Sequence, residues 1–415
     1  MTAMLRFPVL LPFRTRSYRF QWPADLLTSW ALEMEFIILG WYVLVETGSV
    51  LLLTLFGALQ HGGTLIAPLL GVVSDRIGPR NLMLGMRMIH LTIATTLMVL
   101  AFSGLVHPLI VLVLVGLTGL VRPSDFGLRS ALIADTLPSE QLAGAMGLSR
   151  ITTDSARIAG ALSGAGLIAI LGMGASYMVI AAFYGLGIVL LSQTGSAHSK
   201  PAADPAAPPA AQRSSALSDL SEGFIHIWNT PSLLAIMWLA LLFNFTAFPI
   251  TNGLLPYVAK EIYLIDQTGL SYMIATLSFG AVVGGMLMSR VRVGARLARL
   301  MIISAVVWHL QLMGFGHMQS LTAGIAALLL AGMTQSLTMV SLTVILMRES
   351  GQRFRGRVMG VRLLVIYSLP VGLLVAGALI ERIGFAATVS IYAALGLSTT
   401  ILIAVRWRAH MWPPS

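Results

Sequence analysis

Cysteine is absent from all 415 residues. That excludes disulfides and thiolate metal sites. Charge is scarce too. Asp, Glu, Lys and Arg make up 10% of the chain, against about 25% in soluble globular proteins. No phosphate-binding loop, metal-ligand spacing or nucleophile elbow stands out, so the sequence points to no enzyme, no cofactor and no metal. The apolar runs do not alternate with period two, which argues against a β-barrel and for helices. A small-residue cleavage site is lacking after the basic residues Arg6, Arg14, Arg16 and Arg19. The first apolar run therefore reads as a retained helix, not a signal peptide.

What is present is apolar: 57% of residues, in runs of roughly 20 that fit the thickness of a bilayer. The pattern predicts an all-α membrane protein of twelve spans. The first six fall at about residues 26–45, 49–73, 82–102, 108–133, 142–171 and 175–191. The second six fall at about 232–251, 270–288, 297–315, 321–346, 358–380 and 386–405. Between the sets lies an Ala/Pro/Ser-rich stretch that cannot pack a core. Leu217, Leu220, Phe224 and Ile227 then recur at helical spacing, as in a short amphipathic helix on the membrane surface or packed beside it. The expected domains are a basic tail (1–22), a six-helix bundle (23–192), a linker (193–230), a second bundle (231–405) and a short tail (406–415).

The formal charge is +10. Such a balance can mark a nucleic-acid partner, but most arginines sit in short turns between apolar runs. Arg76, Arg80, Arg290, Arg292, Arg296, Arg299, Arg348, Arg353, Arg355 and Arg357 fall on one side of a twelve-span topology, and Lys260 and Arg382 on the other. This asymmetry predicts both termini in the cytoplasm and no nucleic-acid partner.

The stretch from Gly71 through Asp75 and Arg76 to Gly78 and Arg80 reads as a charged turn, residues 74–81, between the second and third spans. The second half echoes it weakly at Gly285, Ser289 and Arg290. Parallel repeats of six helices enclose a midplane cavity in one large class of transporters.

Ionisable side chains inside the spans are the candidate functional groups, because burying charge in lipid is expensive. Glu33 and Glu35 lie two residues apart in the first span and point in different directions. Glu35 shares a stripe with Thr28, Tyr42 and Glu46. Either acid can serve as a proton-coupling or substrate-contacting group, or as an ionic anchor for an arginine. Arg122 with Asp125, and Asp154 with Arg157, form one-turn pairs in the fourth and fifth spans. They read equally as a proton relay or a structural ion network. Arg87, Arg150 and Arg362 are expected to extend to headgroups. In the second half, Asn244, His309, Gln311 and Gln335, with Tyr42 and Phe248, are candidates to line a substrate cavity. A lone histidine such as His309 is more often a packing residue. Gly160, Gly164 and Gly166 fit a close helix–helix contact.

On these residues the chain resembles the major facilitator superfamily. Gly71, Asp75, Arg76, Gly78 and Arg80 are similar to the family's signature between the second and third spans. The resemblance implies a conformational latch in which Asp75 meets the start of the eleventh span and Arg129 is its ionic partner. The glycine-rich run after Arg157 resembles a motif of drug:proton antiporters, without its proline, since Ala165 stands there. The pattern looks most like the multidrug and enterobactin exporter-like branch. It implies a monomeric secondary transporter of the bacterial inner membrane, in contact with membrane lipids, that moves a small amphipathic molecule outward in exchange for protons. A facilitator or importer of an anionic metabolite or lipid is the alternative. A lipid scramblase or membrane scaffold is a remote one.

Overall fold

The computed structural model describes residues 8–64, 66–195, 216–288 and 296–412. A 3-10 helix, Pro8–Arg14, precedes α1 (Arg16–Thr47). Then come α2 (Val50–Leu59), a 3-10 turn at Gly62–Thr64, α3 (Ala67–Ile77), α4 (Pro79–Phe102), α5 (Pro108–Thr136), α6 (Ser139–Ser192) and α7 (Ala216–Asn229). The rest is α8 (Pro231–Thr246), a π turn (Pro249–Gly253), α9 (Leu255–Tyr257), a π turn (Val258–Ile262) and α10 (Gln267–Met288). It closes with α11 (Arg296–Phe315), α12 (Leu321–Glu349), α13 (Gly351–Val365), α14 (Ser368–Ile383), α15 (Phe385–Arg406) and α16 (Arg408–Met411). Among the described residues there is no strand.

Among the described residues, ten helical stretches, some joining two of these elements, are long and apolar enough to cross a membrane. The count reaches twelve once α6 is divided at Gly172, whose φ of 75° breaks the helix, and the broken stretch α2–α3 is included. The chain is a multi-pass, all-helical membrane protein.

Several boundaries differ from those read in the sequence. α1 starts at Arg16, ten residues before the expected 26. Pro23 lies inside the helix, although a proline in a helix interior removes a backbone hydrogen bond, and the first turns of α1 pack on α6. The Tyr18 hydroxyl donates to the Ala145 carbonyl (3.4 Å) and the Trp22 indole N–H to Thr152 Oγ1 (2.9 Å). From Pro8 onward the expected tail is therefore ordered structure. At the other end Met411 is buried, and Trp412 stacks beneath Arg299 (5.4 Å). The charged turn at 74–81 is tighter than its composition suggests. α3 runs to Ile77, α4 opens at Pro79, and Gly78 alone joins them. Its φ of 87° suits only glycine without strain, and its N–H closes on the Ser74 carbonyl (2.8 Å).

Packing groups the chain into two compact units, Met1–Leu39 with Gln60–Ser214, and Gly40–Leu59 with Ser215–Ser415. This differs from a division at the linker, since residues 40–59 go with the second unit. There, Gly57 lies against Leu373 of α14, and Gly377 of α14 lies against Thr54. In the first unit the 62–64 turn crosses α5 so closely that a Cβ on Gly63 would collide with the Leu120 carbonyl.

Candidate functional site

The first unit gathers most of the charge that sequence reasoning places inside the spans. Asp25, Ser29 and Glu33 recur every four residues and so share one stripe of α1. Arg122, Asp125 and Arg129 recur at three and four residues along α5. The stripes face each other antiparallel. Arg129 Nε lies 3.7 Å from Asp25, Arg129 Nη1 donates to Ser29 Oγ (3.0 Å), and Arg122 Nη2 reaches Glu33 (3.3 Å).

The two ends of this seam differ. At one end the charges are sealed. Arg87 of α4 pairs with Asp25 (2.5 Å), and Arg129 also pairs with Asp125. The side chains of Arg87, Asp25 and Arg129 are 1%, 6% and 4% exposed. Two carboxylates and two guanidiniums balance in charge, as buried ions require. At the other end the seam opens on a cavity lined by Glu35, Gln60, Thr118 and Arg122, with Leu32, Leu39 and Leu97 among its apolar walls. Arg122 stays 22% exposed there. Its Nη1 donates to Gln60 Oε1 (2.6 Å), and its guanidinium lies 5.6 Å from the Phe36 ring. Glu35 is buried and accepts a hydrogen bond from the Tyr184 hydroxyl (2.6 Å). The His90 ring stacks on Tyr184 (5.4 Å, 16° between planes). No cation lies within ion-pair distance of Glu35 among the described residues.

The pairings correct the local ones expected. Arg122 meets Glu33 and Gln60, not Asp125, which goes to Arg129 one turn on. Asp154 pairs with Arg150 (3.0 Å), not Arg157. Both spacings place side chains on one face of a helix, and for Arg122 the partners on other helices, Glu33 and Gln60, take the place of Asp125. Arg87, expected to reach for headgroups, is instead sealed beside Asp25. Sequence reasoning missed Asp25 because it lay before the expected start of the first span. It also missed Gln60, His90 and Tyr184. All three are polar groups within or beside apolar runs, and that is the signal that could have found them.

Gly160 and Gly164 bring α6 against α1. A Cβ on Gly160 would stand 2.7 Å from Glu33 Cβ and 3.1 Å from the Trp30 carbonyl. One on Gly164 would stand 3.2 Å from Met34 Cα, whereas one on Gly166 would meet nothing within 4 Å. Gly160→Val is therefore expected to prise α6 off the helix that carries Glu33 and Glu35. Monodisperse protein on size-exclusion chromatography should largely disappear, while Gly166→Val should be tolerated. Equal yields for the two would contradict the packing role.

The side chain of Asp75 lies outside those described, and with it the pairing to Arg129, which is occupied by Asp25 and Asp125. Gly71 and Arg76 are exposed. Arg80 fastens the end of α6, donating to the Leu191 carbonyl (3.4 Å), Thr194 Oγ1 (3.2 Å) and the Ser192 carbonyl.

The second-half candidates are spread through the other unit. His309 lies in the interior of that unit. It is fully buried, with Nδ1 on the Ala305 carbonyl (2.9 Å) and Nε2 on Thr246 Oγ1 (3.0 Å). The Asn244 amide donates to the Ala240 carbonyl of its own helix (2.8 Å). Gln311 accepts from Thr334 (2.9 Å), and Phe248 packs edge-on against Trp308 (5.5 Å). Gln335 is buried, and Tyr42 is half-buried.

This is the architecture of a membrane transporter: a multi-pass helical protein with charges sheltered around a cavity inside its bundle. Residues 26–371 match the Major Facilitator Superfamily, and the chain belongs to that family. No curated protein matches it significantly. Among solved structures it is similar to PepTSo, a transporter of the POT family (13% identity, 96% of this chain and 99% of that one, TM-score 0.74). It is also similar to a D-xylose–proton symporter (12%, 95% and 98%, 0.70) and to the nucleoside transporter NupG (14%, 96% and 100%, 0.66). At these identities the likeness shows the shared fold.

Proposed function

We propose that this family member is a proton-coupled secondary transporter of the bacterial inner membrane, exporting a small amphipathic compound by alternating access. One observation carries the reading. A buried carboxyl, Glu35, and a half-buried guanidinium, Arg122, line the same small cavity inside a membrane-spanning bundle, and Glu35 has no cation of its own. A proton on Glu35 removes a negative charge from the wall that also carries Arg122. Cargo affinity and proton affinity are then coupled, and the coupling is reciprocal. The wall mixes aliphatic and polar side chains, and the space holds about one water molecule, so an amphipathic cargo enters it when the bundle opens in alternating access. The arginine-rich turns support a topology with both termini in the cytoplasm. The expected bundles, 23–192 and 231–405, belong to this proposal.

Arg122 supports a second reading, a facilitator or importer of an anionic metabolite or lipid, with the guanidinium as the anion site. One experiment separates the two. Drug-like amphiphiles, siderophores and organic anions are screened by thermal shift. The hits are followed in proteoliposomes with and without an imposed pH gradient. Flux driven by the gradient supports proton coupling. Flux that ignores pH and tracks the negative charge of the solute overturns it in favour of the anion pathway.

The turn between α3 and α4 is proposed to act as the latch for one conformer, through Asp75. Asp75→Asn keeps the size of the side chain and removes its charge. It should shift the balance of conformers, read as altered protease susceptibility, and lower flux several-fold. Unchanged flux and an unchanged cleavage pattern would leave the turn a plain connector.

A further inference from the structure

α7 has two apolar faces, and only one is accounted for inside the protein. Leu220 and Gly223 face α13. A Cβ on Gly223 would stand 2.8 Å from the Arg357 carbonyl, and one on Gly360 would stand 3.3 Å from Leu220. Ile227 is buried. The His226 ring stacks on Phe354 (4.2 Å, 10° between planes), and Glu222 pairs with Arg357 (2.7 Å). The sequence pattern counts Phe224 with this packed stripe, but the structure turns it the other way. Phe224 and Ile225 are 55% exposed and Trp228 is 60% exposed, with the Phe224 and Trp228 rings stacked at 6.0 Å.

We propose that α7 lies in the interface of the bilayer, with one face fixed to α13 and the Phe224–Ile225–Trp228 face sunk among lipid headgroups and upper acyl chains. Three observations single out lipid as the occupant. First, α7 ends at Asn229, and a membrane-crossing segment starts at Pro231. The aromatic pair therefore sits within two turns of a helix entering the bilayer. Second, the exposed face joins indole and phenyl rings at Phe224 and Trp228 with the aliphatic Ile225, as in the aromatic belts and surface helices of membrane proteins. Third, Arg348 and Arg355, near the start of α13 on which α7 packs, are exposed, which suits anionic headgroups.

The absence of cysteine makes the test direct. Single cysteines are introduced as Phe224→Cys, Ile225→Cys and Trp228→Cys in the full chain and spin-labelled. The protein is reconstituted in phosphatidylcholine bilayers with and without phosphatidylglycerol. Power saturation then compares access by oxygen and by a nickel chelate. All three labels should favour oxygen, at about 5–10 Å below the phosphates. Labels open to the chelate would place the face in water and overturn the proposal. So would dipolar broadening that grows with the protein-to-lipid ratio, since it would assign the face to a second copy of the chain. Trp228→Phe is the check that needs no label. Lipids brominated on the upper acyl chain should quench the parent protein's fluorescence more than the variant's. Equal quenching would again count against insertion.

Discussion

Glu35→Gln is expected to abolish accumulation driven by a pH gradient while leaving the fold in place. The amide matches the carboxylate in size, and its oxygen can still accept the 2.6 Å hydrogen bond from Tyr184. What is lost is the capacity to bind and release a proton. One unit of pH is worth about 1.4 kcal/mol per proton, so uncoupling should cost about tenfold in accumulation per unit of imposed gradient. Exchange of labelled for unlabelled cargo, which moves no net protons, should persist. Glu33→Gln makes the contrast. Glu33 is bound to Arg122, so its loss frees a guanidinium in the cavity and should change affinity for cargo more than dependence on the gradient. If Glu35→Gln accumulates cargo as the parent does, the coupling group lies elsewhere.

Asp25→Ala is expected to destabilise the first unit strongly. It strips the anion from Arg87, which is 1% exposed, and removes one of two from Arg129. Breaking a buried pair from one side costs about 3–5 kcal/mol, a large share of the roughly 5–15 kcal/mol that holds a typical domain together. The melting temperature in detergent should fall sharply. Removing Asp25 and Arg87 together, as Asp25→Leu with Arg87→Met, should recover much of the loss, because Arg129 keeps Asp125 and no ion is left alone. A double variant less stable than Asp25→Ala would show that these ions are not energetically coupled.

The spans were legible in the sequence because hydropathy and length determine them almost alone. The break inside α6 was too, where the helices expected at 142–171 and 175–191 meet at Gly172. Glu35 and Arg122 were visible for a related reason: a charge in an apolar run is conspicuous. Their partners were not. Asp25 lay one residue before the expected start of the first span, whereas α1 begins at Arg16 with its first turns packed on α6. Tyr184 and Gln60 are far from Glu35 and Arg122 in the chain, so their contacts depend on how the helices cross. The preference of Asp125 for Arg129 over Arg122 is a choice between two near-equal local spacings, settled by Glu33 and Gln60 drawing Arg122 away.

The sealed end of the charged seam has a mechanical consequence. Asp25 is held from two sides, by Arg87 of α4 and Arg129 of α5, so three helices meet at one carboxylate. Sliding any of them by a single turn would strand an ion in a medium that cannot solvate it. The three are thereby keyed to one another like parts on a common pin. They can swing as a block, but none can shear past its neighbours.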